Sequence, residues 1–109
     1  MKPTICIDFD GVLNNYTHYD PNNCFTPREG AEEFLEKLSE NFRVVILTAR
    51  SFPKVERWLR NYGLKKYVAD VTNIKIPAIA YIDDRAIEFT GNYEITLQQL
   101  EHFKPYWKE

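Results

Sequence analysis

Cysteine is scarce in this chain of 109 residues: there are two, Cys6 and Cys24. They sit in different kinds of segment and share no metal-binding spacing, so neither a disulfide framework nor a structural zinc site is expected. Both read as plain thiols in a reducing, cytoplasmic setting. No apolar run approaches the roughly 20 residues needed to span a bilayer. The N-terminus lacks the charged, apolar and small-residue regions of a signal peptide, so no membrane association is expected. Nor is there an excess of positive charge. The formal net charge is −2 and the pI about 5.7, which supplies no basic field for non-specific nucleic-acid binding. Repeats, low-complexity tracts and linkers are also missing.

What remains fits one domain over residues 1–109. At 44% hydrophobic and 15% aromatic, the chain has enough apolar material for one core and too little length for two. Thr4–Phe9 is a near-continuous apolar run, as in a strand covered on both faces. Asn14–Phe25 is polar and turn-rich, hence a loop. Thr26-Pro27-Arg28-Glu29 carries a capping-box signature with proline at the first helical position. Ala31, Phe34, Leu35 and Leu38 then mark a buried helical face.

A second buried strand, Phe42–Leu47, ends at Thr48-Ala49-Arg50. Pro53 opens a second helix with Val55, Trp58, Leu59 and Tyr62 inward and Gly63 as its stop. Short strands follow at Val68–Val71 and Ala78–Ile82. A short helix over Arg85–Phe89, a strand at Tyr93–Ile95 and a helix capped by Thr96 complete the expectation. Of the histidines, His18 falls in the loop beside the expected cleft and His102 in the last helix. The aromatic tail Phe103, Tyr106 and Trp107 is expected to pack back on the sheet. Alternating β and α predicts a three-layer, Rossmann-like α/β fold with a mainly parallel central sheet.

Each clear strand ends in chemistry. Asp8 and Asp10 follow the first, Thr48 the second, and Asp83 and Asp84 the later one. In open α/β sheets the crevice beyond the carboxyl ends of the strands is where ligands bind. Four carboxylates converging there need a counter-charge. An all-oxygen donor set suits Mg2+.

In these residues the sequence resembles the haloacid dehalogenase superfamily of phosphatases and phosphotransferases. Asp8-Phe9-Asp10-Gly11 matches the family's first motif, Thr48 the second, Lys75 the third and Asp83-Asp84 the fourth, in the family's order. The resemblance implies that Asp8 is a nucleophile forming an aspartyl-phosphate and that Asp10 is the general acid and base. It implies that Thr48 and the amides around it, including Ala49, hold phosphate oxygens. Lys75 would offset charge. Magnesium would sit on Asp8, the backbone carbonyl of Asp10, and Asp83, with Asp84 in support. Asp10 favours phosphoryl transfer over dehalogenation.

Only seven residues separate Lys75 from Asp83, too few for a crossover helix. A diagonal of about 22 Å would have to be spanned by a segment reaching about 24 Å fully stretched. Either that connection runs extended, or Val68–Val71 is not a regular strand. Neither gap between motifs holds a cap domain, so an open cleft is expected, suited to a large phosphorylated substrate or completed by a partner or second copy. Asp83-Asp84-Arg85 and Thr48-Ala49-Arg50 also resemble the phosphatase domain of phage-type polynucleotide kinase 3′-phosphatases, which implies phosphate contacts for Arg50 and Arg85. The reading is therefore a magnesium-dependent phosphomonoester hydrolase. A polynucleotide 3′-phosphatase and a non-catalytic phospho-ligand module are the alternatives.

Overall fold

A computed structural model of the chain describes residues 1–108. Strand β1 covers Thr4–Ile7, helix α1 Ala31–Asn41, β2 Arg43–Leu47, and α2 Phe52–Asn61. A single 3-10 turn at Lys65–Tyr67 leads into β3, Asp70–Thr72. Strand β4 is Tyr81–Ile82, and α3 runs Tyr93–His102. The four strands are all parallel in the order β3-β2-β1-β4. This is the Rossmann-like α/β arrangement that the strand–helix alternation anticipates.

The β-branched runs explain why β1 and β2 take the centre. Ile5, Ile7, Val44 and Ile46 turn one face to a core shared with Phe9, Leu13, Leu35, Val55, Trp58 and Leu59. Cys6 and Val45 point the opposite way, as strand alternation requires, and are buried too. Right-handed connections put α1 and α2 on one face of the sheet, where they pack against β2 and β3.

The return from β3 to β4 takes the extended route. β3 is a regular strand paired with β2 from Val45–Asp70 to Leu47–Thr72, and residues 73–80 contain no regular element. The segment is pinned at both ends. Asn73 Nδ2 donates to the carbonyls of Thr48 and Arg50 at 2.7 and 2.8 Å, and the Ile79 amide donates to Thr4 at 2.9 Å. Backbone bonds at Ile79 and Ala80 thus extend the β1–β4 ladder ahead of the two-residue strand.

Four local expectations are corrected. Helix α1 starts at Ala31, not Pro27, behind Gly30 at φ 87° and without a side-chain cap. Residues 26 and 27 are held elsewhere: the Asn15 amide donates to the Thr26 carbonyl at 2.9 Å, and Asn14 bridges Pro27. Tyr62 and Phe34 are exposed. Arg85–Phe89 is not helical. Tyr93–Ile95 is the first turn of α3, because Asn92 accepts from the Ile95 amide at 3.0 Å and caps the helix there. No side chain of α3 is buried.

Stability therefore resides in the sheet and its α1/α2 face. Leu59→Ala, at a fully buried position, is expected to cost about 2–5 kcal/mol in urea unfolding. Leu97→Ala, on exposed α3, is expected to stay within about 0.5 kcal/mol.

Candidate active site

The carboxyl ends of β1, β2 and β4 bring together the acids that the sequence places at strand ends. Asp8 follows β1 directly, and its amide donates to the Ile82 carbonyl at 2.8 Å, which fixes it beside the end of β4. Oxygens of Asp8, Asp83 and Asp84 all lie within 4.8 Å of one another. Asp84 Oδ1 is buried and finds no hydrogen-bond partner among the described residues. Three oxygen donors with one orphaned buried atom fit a hard divalent cation.

The electrostatics agree. Burial, the adjacent Asp84 carboxyl and the nearby charge of Asp83 push the Asp8 carboxyl up to about 8, against the lowering effect of the Phe9 amide. Without a cation, crowded carboxylates hold a proton among themselves.

Asp10 has a different environment. It forms a two-oxygen ion pair with Arg50, whose Nε lies 3.0 Å from Oδ1 and 2.8 Å from Oδ2. Asn14 Nδ2 donates to Asp10 Oδ1 at 2.8 Å and to the Cys24 carbonyl at 2.9 Å, while Asn14 Oδ1 accepts from the Gly11 amide at 2.9 Å. Arg50 Nη1 reaches the Asp20 carbonyl at 2.9 Å. One buried asparagine and one buried arginine thus hold Asp10 and tie the 14–25 loop to it. Asn14 belongs to no motif in the sequence; a polar side chain four residues after Asp10 is the one signal that points to it.

Thr48 is buried, its amide donates to Thr72 at 3.0 Å, and its hydroxyl accepts from the Arg50 amide at 3.1 Å. Asp8, Asp10, Thr48, Ala49, Arg50, Asp84 and Arg85 line one pocket of about 200 Å³, with Tyr16 and Tyr19 closing it. Asp83 stands at its edge, its Oδ1 accepting from the Arg85 amide at 2.8 Å.

Two residues of the expected set stand apart from the others. Arg50 was expected on substrate phosphate, but its Nε is committed to Asp10; only Nη2, buried and without a partner among the described residues, remains for a ligand. Lys75 is exposed, with its ammonium 4.6 Å from the centre of the Tyr81 ring, and it is not among the residues lining the pocket. The extended 73–80 connection carries it toward β4 instead. The aromatic tail does fold back, but onto the site and not the sheet. Tyr106 donates to the Gly11 carbonyl and Trp107 Nε1 to Asp84 Oδ2.

Comparison with known proteins bears on this arrangement. The family model for NLI interacting factor-like phosphatases matches residues 3–75. The chain belongs to that family. The match runs from β1 through the end of β3 and includes Asp8, Asp10 and Thr48. It is a haloacid dehalogenase-like phosphatase family, as the motif order implies. A solved structure described as a conserved protein from Bacteroides thetaiotaomicron shares the fold, with a TM-score of 0.63 and 21% identity over 97% of this chain and 95% of that one. No curated protein matches the chain significantly. No helix among the described residues is long and apolar enough to cross a membrane.

The proton held at Asp8 has a measurable consequence for this phosphatase-family domain. The folded chain binds that proton more tightly than the unfolded chain, whose carboxyl titrates near 3.8. Its stabilising contribution is complete below about pH 4 and is lost as pH rises toward about 8. In chelator, urea midpoints are expected to fall across that window. Asp8→Asn is expected to flatten the slope.

Proposed function

We propose that this protein is a magnesium-dependent phosphomonoester hydrolase acting through an aspartyl-phosphate on Asp8. The carrying observation is the separation of two carboxylates, two residues apart, into different environments. Asp8 lies with Asp83 and Asp84, whereas Asp10 lies against Arg50 and Asn14. Pairs of titratable groups held in contrasting surroundings divide the acid–base work.

Asp8, Asp83 and Asp84, with the Asp10 carbonyl, would hold a magnesium ion, which would supply neutralisation of carboxylate and phosphoryl charge. Within that frame an Asp8 oxygen attacks phosphorus, and the bond from phosphorus to the leaving oxygen breaks. Asp10 gives its proton to that oxygen. In the second half, Asp10 takes a proton from water as the water attacks the phosphorus of the aspartyl-phosphate, releasing inorganic phosphate and restoring Asp8. Thr48, the Ala49 amide and Arg50 Nη2 face the phosphate oxygens. A phosphate engages a guanidinium through the same charge-assisted, bidentate geometry as a carboxylate. Substrate therefore competes with Asp10 for Arg50 and leaves Asp10 able to carry the proton.

Specificity would come from an adjoining groove of about 540 Å³ lined by Tyr16, His18, Tyr19, Arg85, Trp107 and Lys108. It shares Tyr16, Tyr19 and Arg85 with the catalytic pocket. This mix of rings and cations favours a second reading, a nucleic-acid 3′-phosphate whose terminal base stacks in the groove.

Phosphate release from a panel of phosphomonoesters, with a 3′-phosphorylated oligonucleotide included, tests both. Asp8→Asn is expected to lower turnover by about 10³-fold or more, Asp10→Asn by about 10²–10⁴-fold, and chelator to abolish it. Turnover unaffected by Asp8→Asn would end the proposal. An oligonucleotide processed no faster than a small ester would end the second reading.

A further inference from the structure

The C-terminal segment makes contacts that a solvated tail has no reason to make. Trp107 Nε1 donates to Asp84 Oδ2, and Tyr106 donates to the carbonyl of Gly11 inside the first motif. The indole is held from two further sides. Tyr16 meets it edge-on with ring centres 5.0 Å apart, and the Arg85 guanidinium lies 5.2 Å from its ring centre. The Arg28 guanidinium lies 4.9 Å from the Tyr106 ring centre.

Gly11 shows how close this approach is. A Cβ there would fall 2.3 Å from Asp84 Oδ2 and 2.8 Å from Trp107 Nε1. Glycine's lack of a side chain is what lets the indole reach the acid. Its φ of 81° is equally suited to glycine.

Asp84 is thus divided between two tasks. One oxygen is occupied by the indole N–H, and the other is buried, unpartnered among the described residues, and part of the three-acid group. A donor on one carboxylate oxygen fixes the plane and direction of the other, as outer partners of metal ligands commonly do. We propose that Trp107 is a positioning residue of the cation site. The C-terminal segment thereby completes from one side an active site built from the strand ends. The inference rests on the magnesium reading above and assigns to that site a residue 23 positions away from Asp84.

Magnesium binding measured by titration calorimetry on the full chain, without substrate, tests this directly. Trp107→Phe keeps a ring against Tyr16 and Arg85 but removes the N–H. It is expected to weaken magnesium binding by about 10-fold or more. Trp107→His, which restores a ring N–H, is expected to recover part of that loss. Circular dichroism melting in chelator confirms that each variant is folded. A folded Trp107→Phe protein that binds magnesium as tightly as wild type would overturn the proposal and leave the phosphatase reading intact. Wild type that binds no magnesium, or Asp84→Asn that binds it unchanged, would overturn the cation site itself and the proposal with it.

Discussion

Three carboxylates crowd one end of a parallel sheet, and most of the surrounding construction follows from making that arrangement tolerable. Asp8 sits at the end of the most buried strand and is fixed there by a backbone bond to β4. It therefore cannot move away from Asp83 and Asp84. That crowding pushes the Asp8 carboxyl upward, and a shared proton or a cation with oxygen ligands relieves it. Asp10, two residues on, escapes the crowd by facing Arg50 and Asn14. The division of the motif into an acid crowded by carboxylates and an acid facing arginine is a consequence of where β1 ends.

Supports for the site come from far along the chain, and this decides what could be read in advance. β1 and β2 were legible because their β-branched residues form unbroken runs, and the strand-end acids were legible because they recur, in order, at the ends of successive buried strands. The all-parallel order followed from alternation, and the extended 73–80 connection from simple chain reach. Arg50 is 40 residues from Asp10 and Trp107 is 23 from Asp84. No local pattern encodes such pairs. Arg50 was noticed for its position beside Thr48, but its commitment to Asp10 depends on how the 14–25 loop folds over it.

The local misreadings share a cause. Thr26-Pro27 is a strong helix signal in isolation, yet antiparallel pairing with Asn14 and Asn15 holds those residues, and a left-handed Gly30 starts the helix later. Tyr93–Ile95 has the composition of a strand, yet Asn92 offers a cap that a helix can use at once. In both cases a side-chain or tertiary hydrogen bond outranked propensity, which for ordinary residues is a weak preference of about 1 kcal/mol or less.

Attack of Asp8 on phosphorus leaves a covalent mark on the chain. Acid-quenched turnover followed by peptide mass spectrometry examines it most directly. The expected result is a peptide containing Asp8 that carries one additional phosphoryl mass, formed with magnesium and substrate and lost in Asp8→Asn. Steady turnover by a protein that never acquires that mass, and that survives Asp8→Asn, would contradict it.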